Sequence, residues 1–168
     1  HFTRLSIIPH TSTTPIRDFV HLHVHTQYSL LDGQASIPAL VDKALADGMK
    51  GMAVTDHGNM MGIKEFFNYV CKVKGKAKGA LAEAKAKLEQ LDAGTLEIPA
   101  DTTADALRQS LEAEVAKQAP RAAFMPIFGC EMYVARRGDK TLREGKVDQS
   151  GWHLVVLAKN EQGYHNLI

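Results

Sequence analysis

The sequence predicts an α/β fold in which a parallel sheet packs against helices. Two observations predict it. Short segments rich in apolar and β-branched residues recur along the chain, and segments with apolar residues at helical spacing lie between them. The resulting order of strand, helix, strand, helix is typical of a parallel sheet. With 168 residues, 45% of them hydrophobic and 23% charged, the chain is long enough to bury one core.

The first half of the chain supplies the clearest elements. Residues 1 to 16 contain prolines and hydroxyl residues in no regular pattern and are expected to be an irregular lead-in. A strand is predicted over residues 19 to 25, where side chains alternate in character. Ser36 is expected to cap a helix, an apolar strand follows over residues 51 to 58, and a second helix is predicted over about 63 to 73.

The second half begins with a change in composition. Residues 74 to 123 are rich in Ala, Lys, Glu and Gln with one narrow apolar stripe per helix, which predicts a helical hairpin inserted between core elements. Strands are then predicted over residues 124 to 135 and 152 to 160, separated by a basic loop. Asn160 is expected to cap a final helix.

Composition and charge limit the classes of function that this chain can have. The formal net charge is only +1, so any contact with nucleic acid must come from local patches. Cys71 and Cys130 lie far apart in apolar sequence and are expected to be reduced thiols. No apolar run reaches the roughly twenty residues of a membrane span, and no secretory signal is recognisable. We expect a cytoplasmic segment of a longer protein, without membrane contact.

The histidines of the first predicted strand are the first candidate site. Alternation over residues 19 to 25 places His21, His23 and His25 on one face and apolar side chains on the other. Next-but-one residues of a strand lie about 7 Å apart at Cα, so two imidazoles can reach one metal ion. A lone strand histidine is more often a hydrogen-bonded core residue. We therefore favour His23 and His25 as ligands and His21 as structural.

Acidic and imidazole side chains also follow or interrupt the other strands. Asp32 is followed by Gly33, which fits either an ordinary Asp-Gly turn or a metal ligand. Asp56 and His57 end a predicted strand, where parallel sheets place their active sites.

Two further candidates lie inside predicted strands. Glu131 lies in an apolar run and needs a cationic partner, either Arg136 nearby or a metal that it could bridge. The same alternatives apply to His153, which also lies in an apolar strand. Because four separate strand regions each supply a His, Asp or Glu, the combined pattern favours a metal site over core packing.

Four stretches of the sequence carry a family resemblance: "FVHLHVHTQYSLLDG", "AVTDHGNMMGIKEF", "FGCEMYVA" and "WHLVVLAKNEQGYHNLI". They resemble the polymerase and histidinol phosphatase (PHP) family, and within it the domains that begin the alpha subunits of bacterial replicative DNA polymerases. The resemblance implies part of a distorted parallel β/α barrel, since a closed eight-fold barrel takes about 250 residues. It also implies a set of metal ligands, with the glutamate bridging two metals: His23, His25, Asp32, His57, Glu131 and His153.

The resemblance implies a role in DNA replication, within a DNA-directed DNA polymerase whose synthetic domains lie outside this segment. The site is expected to hold two or three divalent ions, with Zn, Mn or Fe favoured over Mg because imidazole ligands predominate. A metal-activated water would then give 3′–5′ exonuclease or pyrophosphatase activity. Expected partners are DNA, a sliding clamp and a proofreading subunit. The alternatives are a metal-stabilised structural module that docks the proofreading subunit, and a free-standing PHP phosphatase.

Overall fold

A computed structural model describes residues 19 to 168, so the lead-in expected over residues 1 to 16 lies outside the described part. The mixed α/β class is confirmed. The helices and strands follow in this order: α1 Ile37–Ala46, β1 Gly51–Val54, α2 Ile63–Asp92, α3 Ala104–Ala123, β2 Met125–Val134, β3 Trp152–Leu157 and α4 Glu161–Leu167, with a short 3₁₀ turn at Lys146–Asp148.

The three described strands form one sheet in the order β1-β2-β3. β1 and β2 are parallel, from Gly51 opposite Met125 to Val54 opposite Phe128, as predicted. The prediction of a wholly parallel sheet is wrong for β3, which runs antiparallel to β2. The physical reason lies in the connections: α2 and α3 form the long crossover that a parallel pair needs, whereas only a loop and the 3₁₀ turn link β2 to β3.

The segment over residues 19 to 25 lies along the free edge of β1 but is not a regular strand, which corrects the prediction. The carbonyl of His21 accepts a hydrogen bond from Ala53 N at 2.8 Å, and that of Val24 accepts one from Thr55 N at 2.9 Å. Val24 N donates a hydrogen bond to Thr55 Oγ1, whereas in a regular strand it would donate to a backbone carbonyl. The segment is thus extended and anchored, although Leu22 remains 49% exposed.

The core lies between β1 and the two helices α1 and α2, together with Phe124 just before β2. Its buried members are Ile37, Val41, Ala44, Met49, Met52, Val54, Ile63, Phe66, Val70 and Phe124. Both predicted caps are confirmed: Ser36 Oγ accepts from Ala39 N at 3.4 Å, and Asn160 Oδ1 accepts from Gly163 N at 2.9 Å.

α2 is one continuous helix of 30 residues, which corrects the prediction of a helix ending near residue 73 and a separate helix after it. α3 lies against its second half. Arg108 of α3 forms an ion pair with Asp92 at 2.5 Å, and Lys74 Nζ donates to the carbonyl of Phe124 at 2.7 Å. The domain boundary at about 74 to 123 stays a prediction. Among the described helices, none combines the length and apolarity that crossing a membrane requires.

Candidate metal centre

The structure brings all six predicted side chains to one end of the sheet. They come from five places: the extended segment along β1, the turn after it, the loop after β1, strand β2 and strand β3. The six are His23, His25, Asp32, His57, Glu131 and His153. The carboxylate of Glu131 lies at the centre of this group, which we call the histidine cluster.

Both oxygens of Glu131 contact imidazole nitrogens. Oε2 lies 2.5 Å from His57 Nδ1 and 3.2 Å from His25 Nε2. Oε1 lies 3.4 Å from His23 Nε2 and 3.5 Å from His153 Nδ1. The residue is only 6% exposed, so these four rings are close neighbours of a largely buried carboxylate. The neighbours of Glu131 are therefore histidines and not Arg136, and the metal that the sequence offered as its partner stays a prediction.

Arg136, the alternative partner, is directed elsewhere. Its Nε donates to the carbonyl of Ser150 at 3.0 Å, and its guanidinium lies 4.4 Å from the centre of the Trp152 ring. It therefore packs in the loop beyond β2. His21 also lies apart from the cluster, with its ring edge-on to Phe19 at 4.7 Å, in agreement with a structural role.

Strand geometry explains how Glu131 and His153 meet. Side chains two apart on a strand share a face, so Glu131 and Tyr133 lie on the same side of β2. Tyr133 is directly opposite His153 in the antiparallel pair with β3. An isolated parallel bridge joins His57 to Glu131 beyond the end of β1, which brings the loop after β1 to the same place.

The turn after the extended segment positions Asp32. Its carboxylate contacts His25 Nδ1, while the turn is closed by bonds from Asp32 N and Gly33 N to the carbonyl of Ser29, at 3.0 and 2.8 Å. A Cβ at Gly33 would lie 2.1 Å from the carbonyl oxygen of Thr26, so no larger residue fits there. The Asp-Gly pair thus forms a turn and also brings Asp32 to the cluster, where its role as a metal ligand stays a prediction.

Asp56 is adjacent to the cluster but does not join it. It is 1% exposed and accepts three hydrogen bonds: from Thr26 N at 2.6 Å, from Thr26 Oγ1 at 2.9 Å and from Ser29 Oγ at 2.8 Å. Ser29 Oγ in turn accepts from His57 N at 2.9 Å. Asp56 therefore ties the turn that carries Asp32 to the loop that carries His57.

The electrostatics of the cluster favour an ionised glutamate. Burial alone would raise the pKa of Glu131, but the hydrogen bond with His57 and the charges of His25, His153 and His23 outweigh it and hold the pKa below its ordinary value. A buried carboxylate that stays ionised among neutral or cationic imidazoles is a strong cation ligand.

The donor set fits divalent metal ions. Three overlapping groups each bring their ligand atoms within 4.8 Å of one another: His23 with His25 and Glu131, His25 with Asp32 and His57, and His57 with Glu131 and His153. His23 Nε2 and His25 Nε2 lie only 3.0 Å apart, as expected for nitrogens directed at a common point. Imidazole nitrogens and carboxylate oxygens in such groups are the ligands of Zn, Mn and Fe sites.

Sequence reasoning missed three side chains of the site. The hydroxyl of Tyr133 contacts His57 Nε2, and period-two alternation from Glu131 along the predicted strand could have revealed it. Thr26 and Ser29 hold Asp56, but single hydroxyl residues in a turn carry no signal that distinguishes them from ordinary turn residues.

Comparison with known proteins identifies the family of this chain. A family model described as "PHP domain" matches residues 21 to 168, and the chain belongs to this family. Relatives described as "DNA polymerase III subunit alpha" align over most of the chain. The protein of Treponema pallidum is 33% identical over 150 residues, and that of Borreliella burgdorferi is 30% identical over 150 residues; each alignment covers 89% of this chain. The protein of Aquifex aeolicus is 30% identical over 157 residues, 90% of this chain. The matched part is 9% of the length of each of these three relatives.

Proposed function

We propose that this chain is the PHP segment of a DNA polymerase III alpha subunit and takes part in DNA replication. The proposal is supported by the family membership and by the names of the relatives. We further infer that the described sheet belongs to a larger distorted β/α barrel. The proposed partners are DNA, a sliding clamp and a proofreading subunit, and the proposed location is the cytoplasm.

We propose that the histidine cluster binds two or three divalent ions and hydrolyses phosphoester bonds, as a 3′–5′ exonuclease or a pyrophosphatase. The observation that carries this proposal is the contact of both Glu131 oxygens with four imidazoles, since one carboxylate between two ligand groups is suited to bridge two ions. His23 and His25 would hold one ion, and His57 and His153 a second. Zn, Mn or Fe is favoured over Mg because nitrogen donors predominate.

The protein's own residues would prepare the site for that chemistry. When bound, such ions neutralise charge on a phosphate and make a water molecule more acidic. Asp32 stays a proposed ligand together with His25 and His57, and its contact with His25 Nδ1 leaves Nε2 of that ring directed at Glu131. Tyr133 contacts the other nitrogen of the His57 ring. Outer contacts of this kind fix ring orientation and are worth about 10-fold to 100-fold in metal affinity or activity.

The test compares two histidines of the same segment. The full-length protein is loaded with Mn²⁺ or Zn²⁺ and incubated with a 5′-labelled single-stranded oligonucleotide and, separately, with pyrophosphate. We expect His23→Ala to reduce hydrolysis at least tenfold, because it removes a proposed ligand. His21→Ala is the matched control and should retain activity, since His21 contacts Phe19 and not the cluster.

The outcome also distinguishes the alternative roles. A wild-type protein that binds metal but hydrolyses neither substrate would favour a metal-stabilised structural module that docks the proofreading subunit. Equal loss of activity in His23→Ala and His21→Ala would contradict the proposed site.

A further inference from the structure

Two adjoining clefts follow α2 on the side facing α1 and α3. The first has a volume of about 530 Å³ and lies between α2 and the loops that carry Tyr28 and Met61. The second, about 500 Å³, lies between α2 and α3 and reaches Asp42 of α1. Tyr69 and Lys72 line both clefts, so the two lie side by side. The histidine cluster uses none of these side chains.

The clefts concentrate positive charge in a chain whose net charge is only +1. Five cationic side chains line them: Lys64, Lys72 and Lys76 from α2, and Lys117 and Arg121 from α3. Lys117 pairs with Glu114 at 3.3 Å, whereas the other four form no ion pair with any side chain in the described part of the chain. Cations that converge without a protein partner are available to bind an anion.

Both acidic residues of the clefts are already engaged by tyrosines. The Tyr28 hydroxyl donates to Glu65 Oε2 at 2.7 Å, and the Tyr69 hydroxyl contacts both oxygens of Asp42 at 3.0 and 2.9 Å. Burial and the Asp42 carboxylate raise the pKa of Tyr69, so its hydroxyl stays protonated and donating. Both rings also pack against the core, which fixes their positions in the cleft walls.

We propose that these two clefts bind the phosphate backbone of single-stranded nucleic acid, with cations supplied jointly by α2 and α3. Fixed aromatic rings between cations are the combination that single-strand binding proteins use, since rings contact bases while lysine and arginine contact phosphates. An acidic peptide would use the cations but has no need of the tyrosines. The helical hairpin therefore has a role, because α3 supplies Lys117 and Arg121.

The position of the clefts relates them to the proposed hydrolytic site. Tyr28 lies in the turn that follows His25, and Met61 lies in the loop that follows His57. The amide of Asn59 links the two segments by donating to the carbonyls of Tyr28 and His57, both at 3.1 Å. A single nucleic-acid strand bound along α2 would thus end beside the segments that carry the histidine cluster. That guiding role rests on the proposed function, whereas binding itself does not.

The first experiment locates the bound strand. The full-length protein in EDTA, which removes the metal centre from the measurement, is treated with an acetylating reagent with and without a short oligothymidylate. Mass spectrometry then reports the acetylation of each lysine. We expect protection of Lys72, Lys76 and Lys117 but not of Lys78 and Lys85, which are exposed on α2 outside the clefts. Unchanged acetylation of the three cleft lysines at saturating oligothymidylate would overturn the proposal.

The second experiment counts the contacts. Each phosphate contact to a single strand contributes about 0.7 to the slope of log affinity against log salt concentration. The Lys76→Gln/Arg121→Gln variant should therefore lower the slope by about 1.4, measured by fluorescence anisotropy of the same oligothymidylate. The Lys78→Gln/Lys85→Gln variant removes the same charge from α2 and should leave the slope unchanged. Equal effects of the two variants on the slope would contradict a defined site. In the acetylation experiment, polyglutamate that protects the cleft lysines as well as oligothymidylate does would assign the clefts to acidic peptides instead.

Discussion

At the scale of single residues, Glu131 organises the site and Asp56 holds it in place. Glu131 is surrounded by imidazoles and is suited to contact cations, whereas Asp56 is surrounded by hydroxyl and amide donors. The two buried carboxylates thus have different roles, set by their neighbours. A buried carboxylate with three hydrogen bonds is satisfied without a metal, so we assign Asp56 a positioning role.

Asp56→Asn tests that positioning role. An asparagine has one acceptor oxygen and places an amide where Thr26 Oγ1 or Ser29 Oγ now donates. We expect a loss of about 1–3 kcal/mol in the free energy of unfolding, measured by urea denaturation in EDTA. Asp105→Asn, in the exposed first turn of α3, is the control and should change the free energy by less than about 0.5 kcal/mol. Equal effects of the two substitutions would show that Asp56 has no special role.

At the scale of secondary structure, the sequence correctly predicted the start of α2 but not its length. The change in composition at residue 74 suggested a helix that ends near residue 73 and a separate helix after it. The structure instead has one helix in which Val70, Ala77 and Ala84 are buried at seven-residue spacing. That spacing continues the apolar face of the first turns, so packing against α3 overrides the low helix propensity of glycine.

Gly75→Ala tests the continuity of α2. Gly75 is an exposed helical residue, and a Cβ placed there meets no atom within 4 Å. Alanine should therefore stabilise the chain by about 0.5–1 kcal/mol, measured by urea denaturation. Gly94→Ala is the opposite control, because Gly94 follows the end of α2 with φ +68° and alanine there should cost about 1 kcal/mol. Destabilisation by Gly75→Ala would mean that the helix breaks at this point.

At the scale of the whole molecule, the sequence located the side chains that meet better than it described the sheet. Reasoning from single residues favoured His23 and His25 but left Asp32, Glu131 and His153 open, because an acidic or imidazole side chain beside apolar sequence needs a partner without showing which one. The full set of six came from the family resemblance, and metal binding by these residues stays a prediction. The direction of β3 was missed because the alternation of strands and helices was extended to β3, although only a loop and a 3₁₀ turn, and no crossover helix, connect it to β2. Residues 19 to 25 alternate in character as a strand does. However, Val24 N donates to the side chain of Thr55 rather than to a backbone carbonyl, and the alternation of side chains does not predict this.

The central claim is that side chains from distant parts of the chain meet around shared cations. The most direct measurement is anomalous X-ray diffraction from crystals of the protein soaked in Zn²⁺ or Mn²⁺. We predict at least two anomalous peaks in the histidine cluster, each about 2.0–2.2 Å from a Glu131 oxygen and from histidine nitrogens. Saturated crystals that show no peak within coordination distance of Glu131 would contradict the claim.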